Sequence, residues 1–117
     1  MSNEITILLQ NASSPGLFYS EKQKAAGYHR RYDSLHTAEM RFANWVGEIT
    51  LQGTLELFPG ENDWVDLKDE LSNNTKVGNN SSTYNDPLIF NFRGNFVWIR
   101  AVTNTISGEI VEIRYNY

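Results

Sequence analysis

The side chains able to do acid, base, nucleophilic or ligating chemistry are few, and their spacing suits none of it. The two histidines are His29 and His36. A separation of seven residues matches no metal-binding or catalytic motif, so both read as strand or surface residues. There is no cysteine, which excludes disulfides, thiolate metal sites and thiol nucleophiles together. No serine sits in a Gly-x-Ser-x-Gly elbow, and no glycine-rich loop precedes a helix to cradle a phosphate. Glu61, Asp63, Asp66, Asp69 and Glu70 form an acidic run. Closely spaced loop carboxylates can hold Ca²⁺, but this run lacks the order of a helix-loop-helix calcium loop and reads first as a solvated edge. A glycosidase needs two carboxylates held across a cleft, and nothing singles out such a pair. The expectation is a protein that is not an enzyme, with no catalytic residue, cofactor or metal.

What the sequence does offer is surface for contact. Aromatic residues make up 13% of the chain, high for its length, and aromatics favour strands, cores and interfaces. Trp45, Trp64 and Trp98 can serve as a sugar-stacking platform or as core. Trp98 lies between Val97 and Ile99 in an apolar run, which favours core, while Trp64 follows a polar loop and is open to either role. Lys22, Lys24, Arg30 and Arg31 cluster early, and the acidic run lies mid-chain. Opposite patches of this kind can pair between copies of one chain and set their register. A net charge of −4 argues against nucleic acid as a partner, because phosphate binding needs clustered Lys and Arg.

These residues have to be positioned by a fold, and 117 residues are enough for a single domain, 1–117, with one real core. The first residues show no basic segment followed by an apolar one, so no signal peptide is expected. No apolar stretch is long enough to span a bilayer, and no membrane is expected as partner. Period-two alternation recurs throughout. Ile5, Ile7 and Leu9 point to a first strand with these three on one face, and Leu17-Phe18-Tyr19 to a second. Asn11 to Gly16 reads as the turn between them, and Ser20 to Gly27 as a charged loop with room for one helical turn. Ala38, Met40 and Phe42 alternate with Glu39 and Arg41, which favours a strand over a short helix from Ser34 to Asn44. Trp45, Gly47, Ile49 and Leu51 continue the pattern, and Gly53 suggests a bulge or kink. Pro59 to Asp63 reads as a loop and Trp64 to Leu67 as a short strand.

Ser72 to Asp86 is rich in Asn, Ser, Thr and Gly and long for a connection, so it reads as a mobile loop or one ordered by a neighbour. Leu88, Phe90 and Phe92 mark another strand. Phe96 to Thr103 reads as a strongly apolar strand, Asn104 to Gly108 as a turn, and Glu109 to Tyr115 as the return, with Val111, Ile113 and Tyr115 on one face. Short strands between turn signals, without a long helical pattern, predict an all-β fold: an antiparallel β-sandwich, jelly-roll-like.

Two stretches carry a resemblance. One is Gly47-Glu48-Ile49-Thr50-Leu51-Gln52-Gly53-Thr54-Leu55 with Asp63-Trp64-Val65-Asp66-Leu67. The other is Gly94-Asn95-Phe96-Val97-Trp98-Ile99-Arg100-Ala101 with Gly108-Glu109-Ile110-Val111-Glu112-Ile113-Arg114-Tyr115. Over residues 46–67 and 88–117 the chain resembles small uncharacterised virion structural proteins of contractile-tailed bacteriophages, of the myovirus and cyanophage type. The resemblance implies a β-sandwich subunit of a tail, neck or baseplate, made in the host cytoplasm and carried in the virion. Its partners would be copies of itself and other virion proteins.

Independently of that likeness, a strand apolar on both faces must be covered on both. The alternation puts Phe96, Trp98 and Val102 on one face and Val97, Ile99 and Ala101 on the other. The expected contact residues are Phe96, Trp98 and Val102 for a covered face, with Trp64, Asp63 and Asp66 as a rim and Arg30 and Arg31 as a basic counterpart. The alternative function is a carbohydrate-binding β-sandwich module that takes a glycan on Trp64, Tyr84 and the Asn-rich loop.

Overall fold

Alternating apolar residues and an abundance of Val, Ile, Thr and aromatics put most of the chain into strands. A computed structural model describes residues 6–30 and 34–117. In chain order the strands are β1 (Thr6–Ala12), β2 (Gly16–Tyr19), β3 (Gln23–Lys24), β4 (Ser34–Thr54), β5 (Val65–Asp66), β6 (Lys76–Val77), β7 (Leu88–Gly94) and β8 (Trp98–Asn116). Two single 3₁₀ turns, Ala26–His29 and Glu61–Asp63, are the helical segments among the described residues. The fold is all-β, as expected, and its strands form one eight-stranded antiparallel sheet.

Two long strands organise everything. β4 has 21 residues and β8 has 19, and they pair along almost their whole lengths, from Thr37 opposite Asn116 to Thr54 opposite Trp98. The shorter strands attach to this ribbon in two groups. Around one half, β1 joins β8 near Ile113 and β7 joins the start of β4. Around the other, β2 and β3 join the start of β8, while β5 and β6 join the end of β4.

The halves meet where the register slips, between Arg41 and Gly47. There the inward-facing parity of β4 changes. Ala38, Met40 and Phe42 are buried before the slip, and Trp45, Ile49 and Leu51 after it. β8 changes parity twice, with Ile99, Ala101 and Thr105 buried at one end, Ile110 just past the bend, and Ile113 and Tyr115 at the other end. Extra residues at a bulge turn a strand without ending it, so both halves send side chains into one core. Asn44 takes a left-handed backbone, φ 49°, and Gly108 sits opposite at φ 78°. A Cβ on Gly108 would run into the Asn44 carbonyl, so glycine is required by close approach as well as by φ.

Several expectations change here. Asn104 to Gly108 is not a turn: it is the bent middle of β8, because its glycine supplies a bulge. Gly53 carries no bulge. The Phe96 ring lies where its side chain would be, and a Cβ would come 2.8 Å from that ring. Val111 is exposed and Ile110 takes its place in the core, because two β8 residues are spent between Arg41 and Phe42. In β1 a register slip between Ile7 and Leu9 puts Leu8 inside and Ile7 outside. Ser20 to Gly27 holds β3 and the start of a 3₁₀ turn. The Asn-rich stretch is pinned from within: Lys76–Val77 pairs with β4, Tyr84 exchanges backbone hydrogen bonds with Trp45, and Val77 and Tyr84 pack on the core.

Candidate functional site

Ionisable groups that attract attention in the sequence are used up by the fold. His36 is fully buried between Phe92 and Tyr115, with Nδ1 2.6 Å from the Tyr115 hydroxyl and Nε2 2.9 Å from the Gly94 carbonyl. Burial lowers its pKa, partly opposed by that carbonyl. The acidic run is dispersed. Asp63 accepts from the Gly60 amide, Asp66 from Gln52, and Glu70 pairs with Arg93. Asp69 is buried and accepts from the Ser72 and Asn91 amides. Among the described residues no group of His, Cys, Asp or Glu is arranged to hold a metal ion.

The two outer faces of the bent sheet differ in kind. Around Glu39 the surface is laced with ion pairs: Arg41 at 3.1 Å, Arg114 at 3.6 Å, and Arg114 again to Glu112 at 3.7 Å. Such a face is solvated and contributes little stability. Around Arg100 the face is aromatic. Arg100 and Gln52 are register partners on β8 and β4, and Gln52 and Asp66 on β4 and β5. Arg100 Nε donates to Gln52 Oε1 at 2.8 Å, and Gln52 Nε2 donates to Asp66 Oδ1 at 2.8 Å. The Tyr19 ring lies 4.8 Å and the Trp64 ring 4.3 Å from the guanidinium carbon. Burial lowers the Arg100 pKa, partly opposed by the electrostatic effect of Tyr19 and Glu61.

Two residues earlier on the same strand, so on the same face and about 7 Å away, stands Trp98. Its indole nitrogen donates to the Leu57 carbonyl at 2.9 Å. Tyr28 packs on its ring at 5.1 Å, and the Lys22 ammonium lies 4.9 Å from the ring centre. Lys24 stands 4.7 Å over Tyr28. Leu57, Phe58 and Pro59 close an open groove of about 470 Å³ against Trp98 and Tyr28, and Phe58 is 89% exposed.

The expected contact residues therefore separate. Phe96 and Trp98 do not share a face, because β8 begins at Trp98 and Phe96 turns inward to pack on Phe92 and the core. Trp64 and Asp66 flank the pair of Arg100 and Gln52, Trp98 stands two residues before Arg100 on β8, and Val102 lies half-buried opposite Tyr19. Asp63 caps the neighbouring 3₁₀ turn. Arg30 is exposed in a left-handed conformation, and Arg31 lies outside the described residues. Trp45 is core: fully buried, stacked on Phe42 and bonded to the Thr105 hydroxyl. Of the residues expected for a glycan, Tyr84 packs beside Trp45 and accepts from Asn79 of the Asn-rich loop, while Trp64 stacks on Arg100. Tyr19, Gln52 and Arg100 were not singled out by sequence, because only the register between distant strands brings them together.

One strand edge is also open. β2 pairs with β8 on one side, and no other described strand pairs with it. Leu17, Phe18 and Tyr19 are 63%, 50% and 51% exposed. Among the described residues, no helix is long and apolar enough to cross a membrane. No protein-family model, curated protein or solved structure matches this chain.

Proposed function

We propose that this protein is a non-catalytic assembly module, a jelly-roll-like β-sandwich that works through contacts with copies of itself and with other subunits. The observation that carries this reading is the β2 edge. Ser20 N donates to Ala101 O, so by antiparallel alternation Leu17 and Tyr19 turn their backbone groups away from β8. An uncharged, apolar edge invites pairing with another strand, and proteins that live alone blunt such edges with Lys, Pro or a covering loop. Pro15 precedes the strand, but nothing within Gly16-Leu17-Phe18-Tyr19 blocks it. The sandwich reading is supported by the single core that both halves of the bent sheet share. The likeness of residues 46–67 and 88–117 to phage virion structural proteins suggests the setting, a tail, neck or baseplate in the virion.

The test is light scattering over a range of protein and salt concentrations. The expected result is an oligomer that Leu17→Lys with Phe18→Lys converts to a folded monomer. A wild-type monomer under all conditions would overturn the reading.

A further inference from the structure

We propose that the outer face around Arg100 is a binding site for an acidic glycan, a sugar chain bearing carboxylates. The guanidinium is held between Tyr19 and Trp64 and tied by Nε to Gln52, so its orientation is set before any ligand arrives. No described residue takes a hydrogen bond or ion pair from its terminal nitrogens, whereas Arg41, Arg93 and Arg114 each pair with a glutamate. A planar donor fork fixed in this way fits a carboxylate, which accepts two parallel bonds. Lys22, over Trp98 on the same face, also lacks an acidic partner among the described residues and places a second cation along the strand. Trp64 and Tyr19 give the apolar flanks that sugar rings require, and amphipathic rings suit a ligand with one apolar and one wet face.

The same chemistry weighs against a nucleic acid. Asp66 lies within the polar ladder, and Glu61 is close enough to act on Arg100 electrostatically. Carboxylates there accept bonds from the many hydroxyls of a sugar chain, which a phosphodiester backbone lacks, and Arg100 and Lys22 fall short of the clustered Lys and Arg that phosphate binding needs. The inference does not depend on assembly, since strand pairing at β2 uses backbone groups and leaves the Tyr19 ring on the face.

The experiment is calorimetric titration of the whole protein with oligogalacturonate, a neutral cello-oligosaccharide, a sulfated oligosaccharide and single-stranded oligo-dT. Oligogalacturonate should bind most tightly, and its affinity should fall about tenfold or more in Arg100→Gln, the loss of a charge-assisted pair. Trp64→Ala and Lys22→Ala alter surface contacts alone and should weaken binding with the fold intact, while Arg93→Gln on the other half should not. The inference is overturned if oligogalacturonate does not bind, if any of the other three ligands binds as well or better, or if Trp64→Ala and Lys22→Ala both bind normally.

Discussion

The Tyr115 hydroxyl lies 2.6 Å from His36 Nδ1, and both side chains are cut off from water. The direction of this bond follows from the other ring nitrogen. His36 Nε2 faces the Gly94 carbonyl at 2.9 Å, and a carbonyl only accepts, so Nε2 carries the proton. Nδ1 is then the acceptor and Tyr115 the donor. Burial, with Tyr117 adding to it, pushes the Tyr115 hydroxyl well above its ordinary value, which keeps that donor proton in place.

Stability should fall on both sides of neutrality because of this pair. Burial holds His36 below its ordinary 6.5, so on acidification the unfolded chain takes up a proton before the folded one does. The contribution of His36 is complete above 6.5 and declines as pH falls from there toward the lowered folded value. Tyr115 has the opposite sign. Its folded pKa is raised from 10.0, so its contribution is complete below that pH and is lost as pH rises above it. Urea unfolding across pH checks both limbs, and His36→Gln should flatten the acid one. An acid limb unchanged in that variant would remove His36 as its cause.

Tyr115→Phe keeps the ring stack on His36 and Phe92 but strands Nδ1 without a donor. A buried acceptor left unsatisfied costs about 1–3 kcal/mol. The loss should show in the urea midpoint at neutral pH with the slope unchanged. A variant as stable as the wild type would mean that another donor reaches Nδ1.

Gly108→Ala should destabilise more than its small volume suggests. The left-handed conformation alone costs a non-glycine residue about 1–2 kcal/mol, and the new methyl meets the Asn44 carbonyl and the Trp45 backbone. Neither is the flexible end of a side chain, so the bend itself must open, and Trp45 lies at that bend. Tryptophan fluorescence during denaturation reports both changes. Wild-type stability with unshifted emission would show that the ribbon does not need this contact.

How much of this could be read from the sequence follows from distance along the chain. Strand identity was legible where alternation is local, as in Ala38-Met40-Phe42 and Leu88-Phe90-Phe92, because each pattern is complete within one segment. The bulges were not. Asn104 to Gly108 has the composition of a turn, and only its pairing with β4 makes it the bend of a continuous strand. The same limit hid the binding face. Tyr19, Gln52, Trp64 and Arg100 come from four parts of the chain, and no spacing rule joins them. Phe96 was placed on the outer face by extending strand alternation two residues past the start of β8, where the backbone no longer alternates.

Asp69 shows the acidic run doing structural work, and it gives a last acid-sensitive element. Burial alone would raise its pKa, but bonds from the Asn91, Ser72 and Leu71 backbone and the Ser72 side chain outweigh burial and hold it below 3.8. It accepts from the Asn91 amide through one oxygen and the Ser72 amide through the other, both at 2.8 Å. The carboxylate thereby ties the 69–74 turn to β7. Asp69→Asn turns one of these oxygens into a donor facing a donor, and a bond to a charged group is worth about 1.5–3 kcal/mol. The variant should be destabilised by about that much at neutral pH. Its deficit should shrink as pH falls through the folded-state pKa, because the wild type then loses the same charge. Hydrogen exchange of the Ser72 and Asn91 amides locates the effect, and a deficit independent of pH would mean that the charge is not what holds the turn.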